Sequence, residues 1–156
     1  MAGPASIVRT IHLLQLRIQD LEEKLARLPR QIQTQHNKVS YQEKVLEERK
    51  EELAQARSDN SDRERELKDL HQAIEKYERQ RRQASTTKEM NALGTEIEHA
   101  TERIAQLEEA VLLGLEEIEE KIPTIPEQEA VVARVKKERD EFLATTEERE
   151  TSMREL

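Results

Sequence analysis

Apolar side chains recur at alternating intervals of four and three residues from the beginning of the chain: Ile7, Ile11, Leu14, Ile18, Leu21, Leu25, Leu28 and Ile32. The same frame continues through Val39, Leu46, Leu53, Leu67, Leu70, Ile74 and Tyr77 to Ala84. A straight helix drifts by about 20° per seven residues out of such a repeat, so a frame held this long implies a coiled-coil seam, not the face of a globular helix. The spacing predicts one helix over residues 7–83, about 115 Å long at 1.5 Å per residue. Pro29 lacks a backbone donor and is expected to kink or open that helix locally.

The frame ends at Gln83–Thr87, where Ala84, Ser85, Thr86 and Thr87 lower helix propensity. Residues 84–87 read as a turn. Thr86 stands three residues before Glu89, the spacing of a capping box that opens a second helix over 88–122. Its apolar series is Met90, Leu93, Ile97, Ala100, Ile104, Leu107 and Val111, then a shift to Leu115, Ile118 and Ile122 before Pro123. A third helix is expected over 126–156, because Pro126 is tolerated in a first turn, with Val132, Val135, Phe142 and Met153 on its stripe.

A chain reversal at the turn places the two stripes opposite one another. Ile74 then faces Ile97, Leu70 faces Ala100, Leu67 faces Ile104, Leu53 faces Ile118, Val39 faces Val132 and Leu28 faces Phe142. The expected fold is therefore all-α, a single long antiparallel coiled-coil hairpin whose returning arm is interrupted at Pro123 and Pro126. The returning arm stops short of Ile7 and Ile11, which stay unpaired unless the chain continues or another chain covers them.

Composition narrows the function. Aromatic residues are 2% of the chain (Tyr41, Tyr77 and Phe142) against 38% charged residues, which leaves little material for an enclosed substrate pocket. No phosphate-binding glycine loop and no paired nucleophile and base are present, so no catalytic residue is assigned and the chain reads as non-enzymatic. A net charge of -8 opposes binding to duplex DNA or anionic membranes. No apolar run is long enough to span a bilayer and no signal-peptide core follows Met1, so a cytoplasmic location is expected. With no cysteine, the chain has no disulfide and no thiolate metal site. His71 and His99, with Glu75 and Glu96 a turn away, come near one another across the hairpin. Solvated flank histidines are the expectation there, and no metal is assigned.

Two surfaces suit partners. At the hairpin tip, Lys76, Arg79, Arg81, Arg82 and Lys88 make a positive end on an acidic chain, fit for an acidic protein or RNA phosphates. Basic residues closing the first helix also complement its dipole. On the returning arm, Val111, Leu112, Leu113 and Leu115 are more apolar than one seam requires. Leu112 and Leu113 should point partly outward, as a partner or homodimer surface. A further basic group, Arg134, Lys136, Lys137 and Arg139, reads as a solvated face paired with nearby glutamates. Gln35, Gln42, Arg49, Asn60 and Arg63 fall at seam positions, where polar layers set register at a cost in stability. The run Ser58–Asp62 competes with helical hydrogen bonding and is expected to be a hinge.

The stretch Thr87-Lys88-Glu89-Met90-Asn91-Ala92-Leu93, followed by Glu96-Ile97-Glu98, Leu107-Glu108-Glu109 and Glu116-Glu117-Ile118-Glu119, resembles the hairpin of bacterial coiled-coil proteins that end in a C4 zinc ribbon. Met90 stands where that family has tyrosine, and Glu109 where it has aspartate. The resemblance implies a scaffold or chaperone-like adaptor that binds a sigma factor of the sigma-54 class, or flagellar or type III secretion components, and in some cases RNA. It also implies a zinc ribbon, which would have to follow residue 156, since no Cys-x-x-Cys pair occurs here. The functional expectation is protein binding; the alternatives are an RNA-binding adaptor using the tip, and a structural spacer or dimeric rod.

Overall fold

The computed structural model describes residues 3–155. The fold is all-α. Helix α1 spans Pro4–Arg82, α2 spans Thr87–Lys121 and α3 spans Thr124–Glu155, with no strand among the described residues. The sequence-based boundaries shift slightly. The first helix starts at Pro4, not residue 7, because proline fits a first helical position and the Gly3 carbonyl accepts from Ser6 and Ile7 N–H at 3.0 and 3.2 Å. The turn falls at residues 83–86, and α2 opens one residue early. The third helix begins at Thr124, which puts Pro126 inside its first turn, where backbone N–H groups have no helical acceptor to lose.

The described residues form two compact units: Glu47–Glu127, and residues 3–46 with 128–155. The first of these is a helical hairpin. Cross-arm pairs show α1 and α2 running in opposite directions: Glu66 with Arg103, Asn60 with the Val111 carbonyl, and Glu52 with Lys121 at 3.6 Å. The Arg103 guanidinium meets Glu66 through two bonds of 3.1 and 3.3 Å. Both groups are about half exposed, so the pair contributes at most about 1 kcal/mol. Stability comes instead from the seam: Leu53, Ala56, Ala100, Ile104 and Leu107 are buried, and Leu67, Leu70, Ile74, Tyr77, Leu93, Ile97 and Ile118 are half-buried. Each such Leu or Ile contributes about 1.5–3 kcal/mol when fully enclosed, and less here, since a two-helix layer encloses no side chain completely.

Two sequence-based expectations for the helices are corrected. The second stripe does not shift to Leu115: the buried position after Val111 is Gly114, and Leu115 and Ile122 stay exposed. Ser58–Asp62 is no hinge, because α1 is continuous there and Asn60 is 3% exposed and anchored across the seam. Pro29 lies in the interior of α1, which continues as one helix on either side of it.

In the second unit the N-terminal half of α1 pairs with α3, again in opposite directions. Gln128 Nε2 donates to the Gln42 carbonyl at 2.9 Å and to Gln42 Oε1 at 2.7 Å, and Met153 lines one open hollow with Leu25 and another with Leu28. Val39, Val132 and Val135 are buried; Leu28 and Phe142 are half-buried. Towards the start of α1 the cover ends. Ile7, Ile11, Leu14 and Ile18 are 49–53% exposed.

The opening of α2 is capped as its sequence implies. Thr86, in extended conformation, accepts from Glu89 N–H at 3.2 Å. The Glu89 carboxylate reaches back to the N–H of Ser85 at 3.3 Å, one residue beyond the usual capping-box donor. Replacing Thr86 with alanine is expected to cost about 1 kcal/mol, read as a lower urea midpoint, while Thr86→Ser retains the wild-type value.

Candidate partner-binding surfaces

The tip is built by the end of α1 and the start of α2. Arg79, Arg81 and Arg82 lie in the last turn of α1, where they complement its dipole, and Lys88 lies in the first turn of α2. These four and Lys76 are exposed, and none is within ion-pair distance of a carboxylate among the described residues. The five are not equivalent. Arg81 continues the four-three frame of α1 between Tyr77 and Ala84, and its guanidinium lies over Gly94, 3.5 Å from where a β-carbon would stand. Gly94 thus gives the flat cation a seat on α2. Beside it, Glu78, Arg81, Arg82 and Met90 line a shallow hollow, and Met90 is 41% exposed. The tip therefore offers cations around an apolar thioether, an arrangement suited to an acidic surface carrying an apolar anchor.

The apolar run on α2 divides between faces. Val111 is half-buried in the seam, whereas Leu112, Leu113 and Leu115 are 64%, 59% and 44% exposed. At about 100° per residue, Leu112 and Leu115 share one flank, with Ile122 a turn or two further along it, and Leu113 stands on the back of the helix. The four residues singled out in the sequence therefore do not make one patch. Leu112 and Leu115 do.

The remaining sequence candidates are accounted for by local pairing. Arg134 meets Glu138 at 3.9 Å, Lys136 meets Glu43 at 3.6 Å, Lys137 meets Glu141 at 4.0 Å and Arg139 meets Asp140 at 3.1 Å, the solvated face expected of them. His71 and His99 are exposed, and no three His, Asp or Glu side chains among the described residues are placed to hold a metal ion. Among the described residues no helix is long and apolar enough to cross a membrane.

The seam's polar layers have partners that sequence reading did not name. Asn60 Nδ2 donates to the Val111 carbonyl at 3.3 Å while its Oδ1 accepts from Arg63 at 3.2 Å, and Gly114 leaves the room both need. Gln42 is answered by Gln128, which is 3% exposed. Arg49 donates to the Thr124 carbonyl at 3.0 Å, beside the Ile122–Pro123 interruption. Numbering the two arms against each other would have found Gln128, since it falls opposite Gln42 in the antiparallel frame. Only Gly114 resists that approach, because a glycine carries no apolar signal.

No family model, curated protein or solved structure matches this chain.

Proposed function

We propose that the chain is a non-enzymatic scaffold, a chaperone-like adaptor working in the cytoplasm, that holds protein partners on its exposed helix surfaces. The observation that carries this reading is the Leu112–Leu115 flank. The seam is already served at that level by Val111 and Gly114, so these leucines lie off the hairpin's core and leave much of their apolar surface in water. The cationic tip around Met90 supplies a second contact and, through its charge, a bias toward acidic partners. If the likeness to the zinc-ribbon hairpin proteins extends to function, those partners are a sigma factor or secretion and flagellar components, and a zinc-binding segment would act beside this one.

Photo-crosslinking tests the proposal. A photoreactive side chain at position 112 is expected to give discrete protein adducts that Leu115→Glu abolishes and that persist as salt is raised, because apolar contacts do not depend on counterion release. The five unpaired cations at the tip favour a second reading, an RNA adaptor. In that case adducts form with RNA from positions 81 and 82, weaken steeply with salt and disappear in the Arg81→Glu/Arg82→Glu variant. A folded chain that gives neither kind of adduct acts only as a spacer, and both readings fall.

A further inference from the structure

The start of α1 carries a seam with no partner among the described residues. Ile7, Ile11, Leu14 and Ile18 keep the four-three frame, yet α3 covers that frame only from about Leu21 on: Met153 borders an open hollow with Leu14, Ile18, Leu21 and Leu25. We infer that this segment pairs with the same segment of a second copy of the chain, in antiparallel sense, with Ile7 opposite Ile18 and Ile11 opposite Leu14 of the other copy.

Three features select this occupant. The uncovered seam positions are palindromic: in that single register Ile7, Ile11, Leu14 and Ile18 each meet another of the four, as a two-fold interface between identical chains requires, while Val8, Leu13 and Leu16 lie off the seam. The flanks agree as well, since Arg17 comes beside Thr10 and Val8 beside Gln15, with no like charges opposed. Finally, the seam is continuous with the one between α1 and α3. An antiparallel second helix runs in the same direction as α3 and occupies the seam just beyond Met153, filling the hollow beside Leu14 and Ile18. Isoleucine at 11 and 18 with leucine at 14 and 21 would by itself suit a parallel pair. Sterics oppose that outcome: past Ile18 a parallel copy would run into the place that α3 already occupies against Leu21 and Leu25.

The four seam residues offer on the order of 100 Å² each per copy, hence on the order of 800 Å² for the pair, below the range of standard specific interfaces and in that of weak, reversible ones. A reversible dimer with a dissociation constant on the order of 10 µM is expected. Sedimentation equilibrium of the 156-residue chain should show it, and Leu14→Glu should weaken it by about a hundredfold or more with helicity by circular dichroism unchanged. The chain has no cysteine, so Lys24→Cys provides a single labelling site. Spin labels there should lie about 35 Å apart in the antiparallel register and well under about 20 Å apart in a parallel one. A monomer at every concentration, a dimer indifferent to Leu14→Glu, or a short label separation would each overturn the inference.

Discussion

Gly114→Ala is expected to lower the stability of the hairpin by about 2 kcal/mol, whereas Gly94→Ala, the same substitution in the same helix, is expected to raise it by about 0.5–1 kcal/mol. Both changes bring the same gain in helix propensity, about 1 kcal/mol. They differ in what the new methyl group meets. At Gly94 the nearest atoms are those of the Arg81 guanidinium, 3.5 Å away, an ordinary contact with a side chain that can move into solvent. At Gly114 a β-carbon would collide with Asn60 Oδ1 and stand 2.8 Å from Asn60 Cγ and 2.9 Å from Arg63 Nη1. Asn60 is short and enclosed, so it cannot swing clear without giving up its bonds to Val111 and Arg63, or else the arms must separate. Either response costs about 1–3 kcal/mol beyond the propensity gain. Urea denaturation of both variants reads the difference in sign directly. Asn60→Ala should rescue Gly114→Ala, with a coupling of about 1–2 kcal/mol in a double-mutant cycle. Equal shifts for the two glycines would mean that Asn60 does not occupy the seam.

A second pair of variants separates the two faces of α2. Leu107 is 3% exposed in the centre of the seam, and truncation to alanine is expected to cost about 2–3 kcal/mol. The lower part of the range for buried leucines applies, because a layer of two helices can partly close over the gap or admit water. Leu112→Ala removes the same atoms from a side chain that is 64% exposed, and its effect is expected to stay within about 0.5 kcal/mol, helped by the better helix propensity of alanine. Denaturation midpoints compared at constant slope test the pair. A large loss at Leu112 would show that the flank belongs to the folding core, and would remove the observation on which the scaffold reading rests.

These expectations also mark how far the sequence could be read. From Val39 to Tyr77 the four-three frame of α1 predicts the covered positions: Val39, Leu46, Leu53, Leu67, Leu70, Ile74 and Tyr77 are all buried or half-buried, whereas Ile7, Ile11, Leu14, Ile18 and Leu25 of the same frame are exposed. The capping pair Thr86 and Glu89 marked the start of α2 through its own chemistry, which needs only neighbouring residues. The outward leucines at 112 and 113 were visible as apolar residues in excess of what one seam accommodates. The shift to Leu115 failed for the complementary reason. The side chain with the strongest apolar signal was assigned to the seam, although space there was already taken from the opposite arm by Asn60.

The hinge expected at Ser58–Asp62 failed in the same way. Local propensity describes what a segment prefers in isolation, and Asn60 is held in the helix by a carbonyl 51 positions further along the chain. Periodicity, caps and turn chemistry depend on residues within a few positions of each other, so the sequence alone determined the helices, the place of their break to within a residue, and the face that α1 buries from Val39 to Tyr77. Which residue answers which across the seam depends on volume and hydrogen-bond geometry contributed by two distant segments at once. Only the tertiary structure could therefore decide that glycine meets Asn60 and that the cover on α1 ends before Ile18, whereas the Gln42–Gln128 pair already follows from the antiparallel frame.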